Sequence, residues 1–192
     1  MKRPKLSKHD RYVPIVILII VGVLVVGAGV WYLSKEQSSK LIQVPADPIP
    51  LPPDPGEAGK QTLAGIDSDG DGVRDDIQRY IALNYPDSEK TRAALTQTTC
   101  AMQGALLDAD NEQASINHVI EDFAAGDCLS YIKGTKDAWL IFAALRARIL
   151  NTKDRSLAYV RATQHFSGHE ITNTPATELK LGCTFNPDLM RN

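Results

Sequence analysis

The sequence lacks the motifs that most directly indicate an enzyme or a nucleic-acid-binding protein. It contains no G-x-S-x-G nucleophile motif, no phosphate-binding loop and no glycine-rich dinucleotide fingerprint. Of its 21 basic and 23 acidic side chains, five basic and one acidic lie in the first eleven residues, so 16 and 22 remain, a net charge of −6. Because a phosphate-backbone footprint requires clustered Lys and Arg side chains, this balance argues against a nucleic-acid partner.

An uncharged, strongly apolar run occupies residues 13–33, and roughly 20 helical residues are enough to span a bilayer core. Trp31 and Tyr32 lie at its far end, where aromatic rings favour the headgroup layer. The basic side chains of residues 1–12 predict a cytoplasmic N-terminus and an exported remainder. We therefore predict a single-pass membrane anchor. The small residues at 27–29 leave a cleaved signal peptide as the alternative.

A proline-rich linker, residues 34–56, follows the predicted membrane helix. Six prolines between residues 45 and 55 block helix formation and favour an extended polyproline II conformation. At about 3.1 Å per residue, this segment would be a semi-rigid spacer of roughly 35 Å. A docking ligand for an aromatic groove is the alternative. The remainder of the chain, residues 57–192, is the predicted exported domain.

The exported domain is predicted to be all-α, because helical periodicity recurs and no convincing strand run occurs outside the membrane span. We expect a small antiparallel helical bundle over roughly 66–166, with an irregular C-terminal tail packed on it. The first helix presents an apolar face made of Val73, Ile77, Tyr80 and Ile81. Asp87 or Ser88 is suited to cap the second, whose stripe is Leu95, Thr99, Met102 and Leu106.

Three further helices are predicted from similar patterns. Gly126 is expected to end the third helix and Asp127 to cap the fourth. The apolar stripe of the third helix comprises Ile116, Val119, Ile120 and Phe123. That of the fourth comprises Leu129, Ile132, Trp139, Phe142, Leu145 and Ile149. The fifth helix, residues 153–166, would bury Leu157, Val160 and Phe166.

The stretch GIDSDGDGVRDDIQRYI, residues 65–81, places five aspartates within ten positions. With Asp67 as position 1, carboxylates occupy positions 1, 3, 5 and 9, and a glycine occupies position 6. Alternating side chains point toward one centre, and hard oxygen ligands in a flexible loop suit Ca²⁺ better than Mg²⁺. The predicted ligands are Asp67, Asp69, Asp71, the Val73 carbonyl, Asp75 (through a water) and Gln78. The alternative is a solvated acidic turn that caps the following helix.

The segment 67–78 resembles the EF-hand loop and, more closely, the D-x-D-x-D-G-x-x-D loops of thrombospondin type 3 and related bacterial calcium-binding repeats. The resemblance implies a calcium site and a bacterial inner-membrane protein with a periplasmic domain. It covers only this segment, and position 12, usually Glu or Asp, is Gln78. A single loop implies a structural ion rather than a paired sensor, with the weak affinity of extracellular modules, roughly 10⁻⁴–10⁻³ M.

The three cysteines, Cys100, Cys128 and Cys183, all lie on the predicted exported side. An oxidising compartment favours one disulfide and one free thiol, and three pairings are possible. We favour Cys128–Cys183, because Cys183 lies in the irregular tail, which gains most from attachment to the bundle. Cys100 would then be a small buried hydrophobic residue.

Two classes of function are consistent with these features. The favoured one is a membrane-anchored, calcium-binding module that binds another envelope protein or a wall component. The alternative is an envelope hydrolase or thiol enzyme that uses Cys100 or the pair His165 and His169. These histidines are four residues apart, but Gly168 is expected to end the helix between them, and the spacing is not H-E-x-x-H.

Overall fold

A computed structural model describes residues 51–192 of the chain. In this range the backbone forms five α-helices and no β-strand. The helices are α1 (Asp75–Asn84), α2 (Glu89–Leu107), α3 (Glu112–Lys133), α4 (Thr135–Ile149) and α5 (Lys153–His165). Short 3₁₀ turns occupy Gly56–Lys60, Leu179–Gly182 and Pro187–Leu189. The predicted all-α class is confirmed for this part of the chain.

The predicted basic tail 1–12, the predicted membrane helix 13–33 and most of the linker 34–56 lie outside the described residues. Among residues 51–192, no helix combines the length and the apolar character needed to cross a membrane.

Helices α2 and α3 form the centre of the bundle. They make the largest helix–helix contact, α3 also packs against α4 and α5, and α2 also packs against α1 and α5. The core between the helices is almost fully buried. Its side chains include Leu95, Met102, Leu106, Leu129, Leu145 and Ile149. Burial of one such side chain stabilises the fold by roughly 1.5–3 kcal/mol, so this core is the main source of stability.

The first two helices pack with their predicted apolar faces toward the core, and the second begins at a predicted cap. Helix α1 buries Ile77 and Ile81 and ends before Pro86. Helix α2 is capped by Ser88, whose hydroxyl accepts a hydrogen bond from the Thr91 backbone N–H at 3.3 Å. All four residues of its predicted stripe are buried. Capping and helical periodicity are local signals, which is why the sequence was sufficient here.

The predicted break at Gly126 is wrong, because α3 continues through Gly126 and Asp127 to Lys133. Glycine inside a helix costs about 1 kcal/mol relative to alanine, and burial of Cys128 and Leu129 just beyond it offsets that cost. The chain instead turns at Gly134, whose φ of 77° is a conformation that glycine adopts readily.

The predicted buried faces of the later helices are partly wrong. Val119, Leu145 and Ile149 are buried as expected, but several other large apolar side chains are exposed: Ile120, Phe123, Trp139, Leu157 and Val160. Helix α5 turns Arg155, Ala158 and Ala162 toward the core instead. Small side chains let α5 approach α2 and α3 closely, and large residues are left on its outer side.

The C-terminal tail is fastened to the bundle, as predicted. Cys128 and Cys183 form a disulfide, which confirms the favoured pairing. Gly182 passes so close to α3 that a Cβ at this position would lie 2.3 Å from the Ala124 carbonyl oxygen. The Gln97 side chain of α2 donates to the Gly182 carbonyl at 2.7 Å. Cys100, however, is exposed and not a buried hydrophobic residue.

Two fully buried arginines attach the segment before α1 to the bundle. The Arg155 guanidinium donates to the backbone carbonyls of Gly59, Thr62 and Leu63 at 2.6, 2.8 and 3.2 Å. Arg74 donates to the Ile149 carbonyl at 3.1 Å and to the Asp76 carboxylate at 2.9 Å. Burial, and then the nearby Arg74 charge, lower the pKa of Arg155.

Replacement of Arg155 tests this attachment. Arg155→Leu removes the donors from three backbone carbonyls, and an unsatisfied buried carbonyl costs about 1–3 kcal/mol. We expect the free energy of unfolding to fall by about 3 kcal/mol or more in urea denaturation. Arg161→Leu on the same helix is the control, because its partner Asp110 is exposed and such pairs contribute at most about 1 kcal/mol. Equal losses in the two variants would contradict the assignment.

Asp122 of α3 is a poorly satisfied acidic group beside the core. Its Oδ1 is buried and has no hydrogen-bond partner in the described part of the chain. The other oxygen, Oδ2, lies 3.7 Å from Nη2 of Arg146, which donates to the Tyr159 hydroxyl at 2.7 Å. Burial raises the pKa of Asp122 to about 7, although the Arg146 charge opposes the shift. Below about pH 7 the folded state therefore favours the neutral carboxyl, and above it the carboxylate.

The raised pKa of Asp122 predicts that Asp122→Asn increases stability by an amount that depends on pH. The folded-state pKa lies above the ordinary value of 3.8, so the folded protein binds the Asp122 proton more tightly than the unfolded chain does. The resulting stabilisation is fully present below about pH 4 and is lost as the pH rises through about 7. Because Asn stays neutral, the variant should gain on the order of 3 kcal/mol over wild type between about pH 4 and pH 8. Urea unfolding at both pH values measures the difference. Asp110→Asn, at an exposed position, should give no such change.

Candidate metal site

The acidic loop, residues 67–78, lies between the arginine-bound segment and the first turn of α1. Its ends are held together by a hydrogen bond from the Asp75 backbone N–H to the Ile66 carbonyl at 2.8 Å. Gly65 precedes it with a φ of 68°, and a Cβ there would lie 2.5 Å from Cδ of Arg74. Only glycine therefore fits beside the two buried arginines, and the loop begins at a fixed point.

The first three predicted ligands come together. Asp67, Asp69 and Asp71 each offer a carboxylate oxygen, and these three oxygens lie within 4.8 Å of one another. Asp67 is half-buried and the other two are exposed. Within residues 51–192, this is the one group of three potential metal-ligating side chains that meets this spacing.

Backbone hydrogen bonds orient these carboxylates. The Asp67 carboxylate accepts from the N–H of Gly70 at 2.8 Å and of Gly72 at 2.9 Å, so the loop curls around position 1. Both glycines have positive φ, 72° and 86°, which this curl requires. Oδ1 of Asp71 accepts from the Val73 N–H at 2.8 Å. The carboxylates are thus fixed by the local backbone.

Gln78, at position 12, reaches back from α1 to the carboxylates. Its Nε2 donates to Oδ2 of Asp69 at 3.0 Å and to Oδ2 of Asp71 at 3.4 Å. Its Oε1 is buried and has no hydrogen-bond partner among the described residues. The amide oxygen and nitrogen exchange places by a half-turn of the terminal torsion, after which the oxygen faces the carboxylates. Such a turn would offer a cation a fourth oxygen.

The electrostatics of the loop reflect this crowding. Desolvation, together with the charges of Asp69, Asp67 and Asp75, raises the pKa of Asp71. The hydrogen bond from Gln78 lowers the pKa of Asp69. Three carboxylates at this separation repel one another, and a bound cation would remove that repulsion.

The other two predicted ligands lie outside the triad. Asp75 is buried, and its Oδ1 accepts hydrogen bonds from the Ser68 backbone N–H at 2.9 Å and from the Ser68 hydroxyl at 3.1 Å. It therefore braces the loop, and its predicted role through a water stays a prediction. Val73 is buried, and coordination by its carbonyl likewise stays a prediction.

The donor set fits Ca²⁺. The three atoms of the triad are hard carboxylate oxygens, and a half-turn of the Gln78 amide would replace its Nε2 by a fourth oxygen. Asp67, Asp69, Asp71 and Oε1 of Gln78 would hold the ion. The unpartnered Oε1 distinguishes this arrangement from a simple acidic turn, because a half-turn of the amide would bring this buried acceptor to the cation.

The residues of the alternative hydrolase hypothesis have other partners. His165 donates from Nε2 to the Ala109 carbonyl at 3.2 Å, and His169 stacks on Phe166 with ring centroids 5.1 Å apart. Cys100 lies beside the acidic loop, where a Cβ on Gly72 would be 3.8 Å from its Sγ. Desolvation and the nearby Asp71 charge raise the pKa of this thiol, which favours the less nucleophilic protonated form.

Sequence reasoning missed the supports of the loop. Arg155 is far from it in sequence, and Gln103 of α2 donates to the Ala64 carbonyl at 2.8 Å. Neither residue belongs to a motif, so no local signal identified them. Ser68 was adjacent to two aspartates and could have been recognised as a hydrogen-bond donor to a later carboxylate.

No protein-family model matches the chain, and no curated protein or solved structure was found to be similar to it.

Gln78→Glu should have opposite effects on the metal-free and the calcium-loaded protein. Without metal, a fourth carboxylate replaces an amide that donates to two others, so the free energy of unfolding should fall by about 1 kcal/mol. With Ca²⁺, the added charge and bidentate ligand should raise affinity about tenfold, a gain of about 1.4 kcal/mol. Unfolding with chelator and calorimetric calcium titration measure the two effects. Gln164→Glu, at an exposed position on α5, is the control for the charge change, and destabilisation in both states would contradict Gln78 as a ligand.

Proposed function

We propose that this chain is a membrane-anchored module of the cell envelope whose helical domain holds one structural Ca²⁺ and binds another envelope protein or a wall component. The position of Gln78 carries the calcium proposal. Its amide meets two triad carboxylates, and its buried oxygen has no other partner. A half-turn of the amide would present that oxygen at the twelfth position, where a calcium loop requires a ligand, and this supports the proposal.

A structural role fits better than a signalling role. The sequence contains one D-x-D-x-D-G loop, whereas a switch of the calmodulin type works with helices that change their relative angle. This loop continues into α1 through Val73 and Asp75, which are both buried. An ion bound by Asp67, Asp69, Asp71 and Gln78 would link the segment before α1 to its first turn. Binding would therefore stabilise the folded domain directly.

The envelope location rests on two independent features. The uncharged run 13–33 with its basic flank predicts an anchor and an exported domain. The Cys128–Cys183 disulfide supports an oxidising compartment for that domain. Extracellular calcium modules bind in the range of roughly 10⁻⁴–10⁻³ M, which is compatible with the neutral residue at position 12.

The decisive experiment is thermal and chemical unfolding of the full-length chain in lipid nanodiscs, with Ca²⁺, with Mg²⁺ and with chelator. With a dissociation constant of about 0.1 mM, about 10 mM Ca²⁺ should stabilise the fold by about 2.7 kcal/mol. Mg²⁺ should do less, because it demands tighter octahedral geometry. Asp69→Asn should abolish most of the calcium effect.

Asp87→Asn is the matched control for this experiment, because it removes the same charge at an exposed site beyond α1. It should keep the full calcium effect. If Ca²⁺ stabilises neither wild type nor Asp87→Asn, the loop is a solvated helix entrance and the calcium proposal is wrong.

A further inference from the structure

A cavity of about 370 Å³ lies between α3, α4 and α5, away from the residues of the acidic loop. We call it the aromatic groove. Five ring side chains are among its lining residues, namely Phe123, Trp139, Phe142, Tyr159 and Phe166. Trp139 is 70% exposed and Phe123 is 45% exposed. Large aromatic side chains gathered around one opening are a feature of ligand sites rather than of ordinary surface.

The groove also has a polar pair, Asp122 and Arg146. Neither side chain is satisfied, since Oδ1 of Asp122 and Nε of Arg146 are both buried without a hydrogen-bond partner in the described chain. The pair itself is loose, with 3.7 Å between Oδ2 and Nη2. That separation is longer than a direct hydrogen bond of 2.7–3.2 Å. Buried polar groups are nearly always paired, so these two require an explanation.

Two other polar side chains of the groove have partners. Asp127 accepts a hydrogen bond from the Thr174 hydroxyl at 2.6 Å. The Thr163 hydroxyl donates to the Tyr159 carbonyl at 2.9 Å. The Arg146 guanidinium lies over the rings of Phe142 and Tyr159, 4.8 and 5.1 Å from their centroids, which fixes its orientation. The buried unpartnered atoms of the groove belong to Asp122 and Arg146, so these two side chains are the strongest candidates to recognise a polar ligand group.

These two side chains define the chemistry of the ligand. Asp122 offers an acceptor and Arg146 offers donors, and their opposite charges leave the pair neutral. A cationic ligand would face the guanidinium, and an anionic ligand would face the carboxylate. A neutral primary amide avoids both conflicts, because one of its N–H groups lies on the same side of the C–N bond as its C=O and the two form one donor–acceptor edge.

We propose that the aromatic groove binds a neutral amide carried on an aromatic or branched apolar body. The amide N–H would donate to the Asp122 carboxylate, and its carbonyl would accept from the Arg146 guanidinium, so that one group bridges the open ion pair. The apolar body would lie among Phe123, Trp139 and Phe166. This site is separate from the calcium loop, and the proposal does not depend on calcium binding.

The test compares probes of nearly identical shape on the full-length chain in nanodiscs at about pH 8. The probes are 3-phenylpropanamide, its methyl ester analogue and 3-phenylpropanoate. The chain has two tryptophans, so Trp31→Phe leaves Trp139 as the only tryptophan reporter. The amide should change Trp139 fluorescence saturably, with a dissociation constant on the order of 1 mM or lower. The ester, which keeps the acceptor but lacks the N–H, should bind at least tenfold more weakly, and so should the carboxylate.

Variants then assign the contacts. Asp122→Leu should weaken amide binding about tenfold or more and should leave ester binding nearly unchanged. Trp139→Ala should weaken both ligands equally, and circular dichroism reports whether each variant is folded. The probe comparison on the unmodified site keeps the proposal testable if a variant fails to fold. Equal binding of amide and ester, or no saturable binding of the amide, would overturn the proposal.

Discussion

The placement of the acidic loop depends on one buried guanidinium, that of Arg155. It binds three backbone carbonyls of the segment 59–63, a stretch with few apolar side chains of its own that could attach it to the bundle. Gly65 then passes beside Arg74 and Arg155, and the Ile66–Asp75 backbone hydrogen bond closes the loop. A buried guanidinium is tolerated only when its N–H donors have hydrogen-bond partners. The partners of Arg155 are the carbonyls of this segment, so the same hydrogen bonds attach the segment to the bundle. The carboxylates are consequently presented on a rigid base.

The part of the site that sequence predicted is the part encoded locally. The spacing of Asp67, Asp69 and Asp71, with glycine at position 6, determines a curled loop because each carboxylate binds backbone N–H groups within five residues. Gln78 follows on the first turns of α1, so its reach is also local. Arg155 could not be predicted, because its contacts span more than 90 residues and belong to no motif. Long-range support leaves no periodic signal in the chain.

The fold was predictable to the same extent. Helical periodicity located α1 and α2, with the Ser88 cap at the start of α2. Gly126 misled, because tertiary burial of Cys128 and Leu129 overrides a weak local preference. The hydrophobic pattern also failed on α4 and α5, where apolar residues occur around much of the helix. Alanines and Arg155 face the core, and Trp139 is left outside. Such local disagreement between pattern and burial is common at functional sites.

The aromatic residues whose burial was wrongly predicted, and the loose Asp122–Arg146 ion pair, lie at the same site. Phe123 and Trp139 stand at the opening of the aromatic groove, and Asp122 lies inside it with a pKa raised to about 7. Both features are unfavourable in a protein selected for stability alone, since aromatic surface is left in water and a carboxylate is left nearly unpaired. The buried arginines and the Cys128–Cys183 disulfide hold the segment before α1 and the tail to the bundle, and a Ca²⁺ ion in the acidic loop would add to that stability. Stability from these contacts allows α3, α4 and α5 to keep the aromatic groove open. Its aromatic walls are covered, and Asp122 and Arg146 gain hydrogen-bond partners, only when a ligand binds.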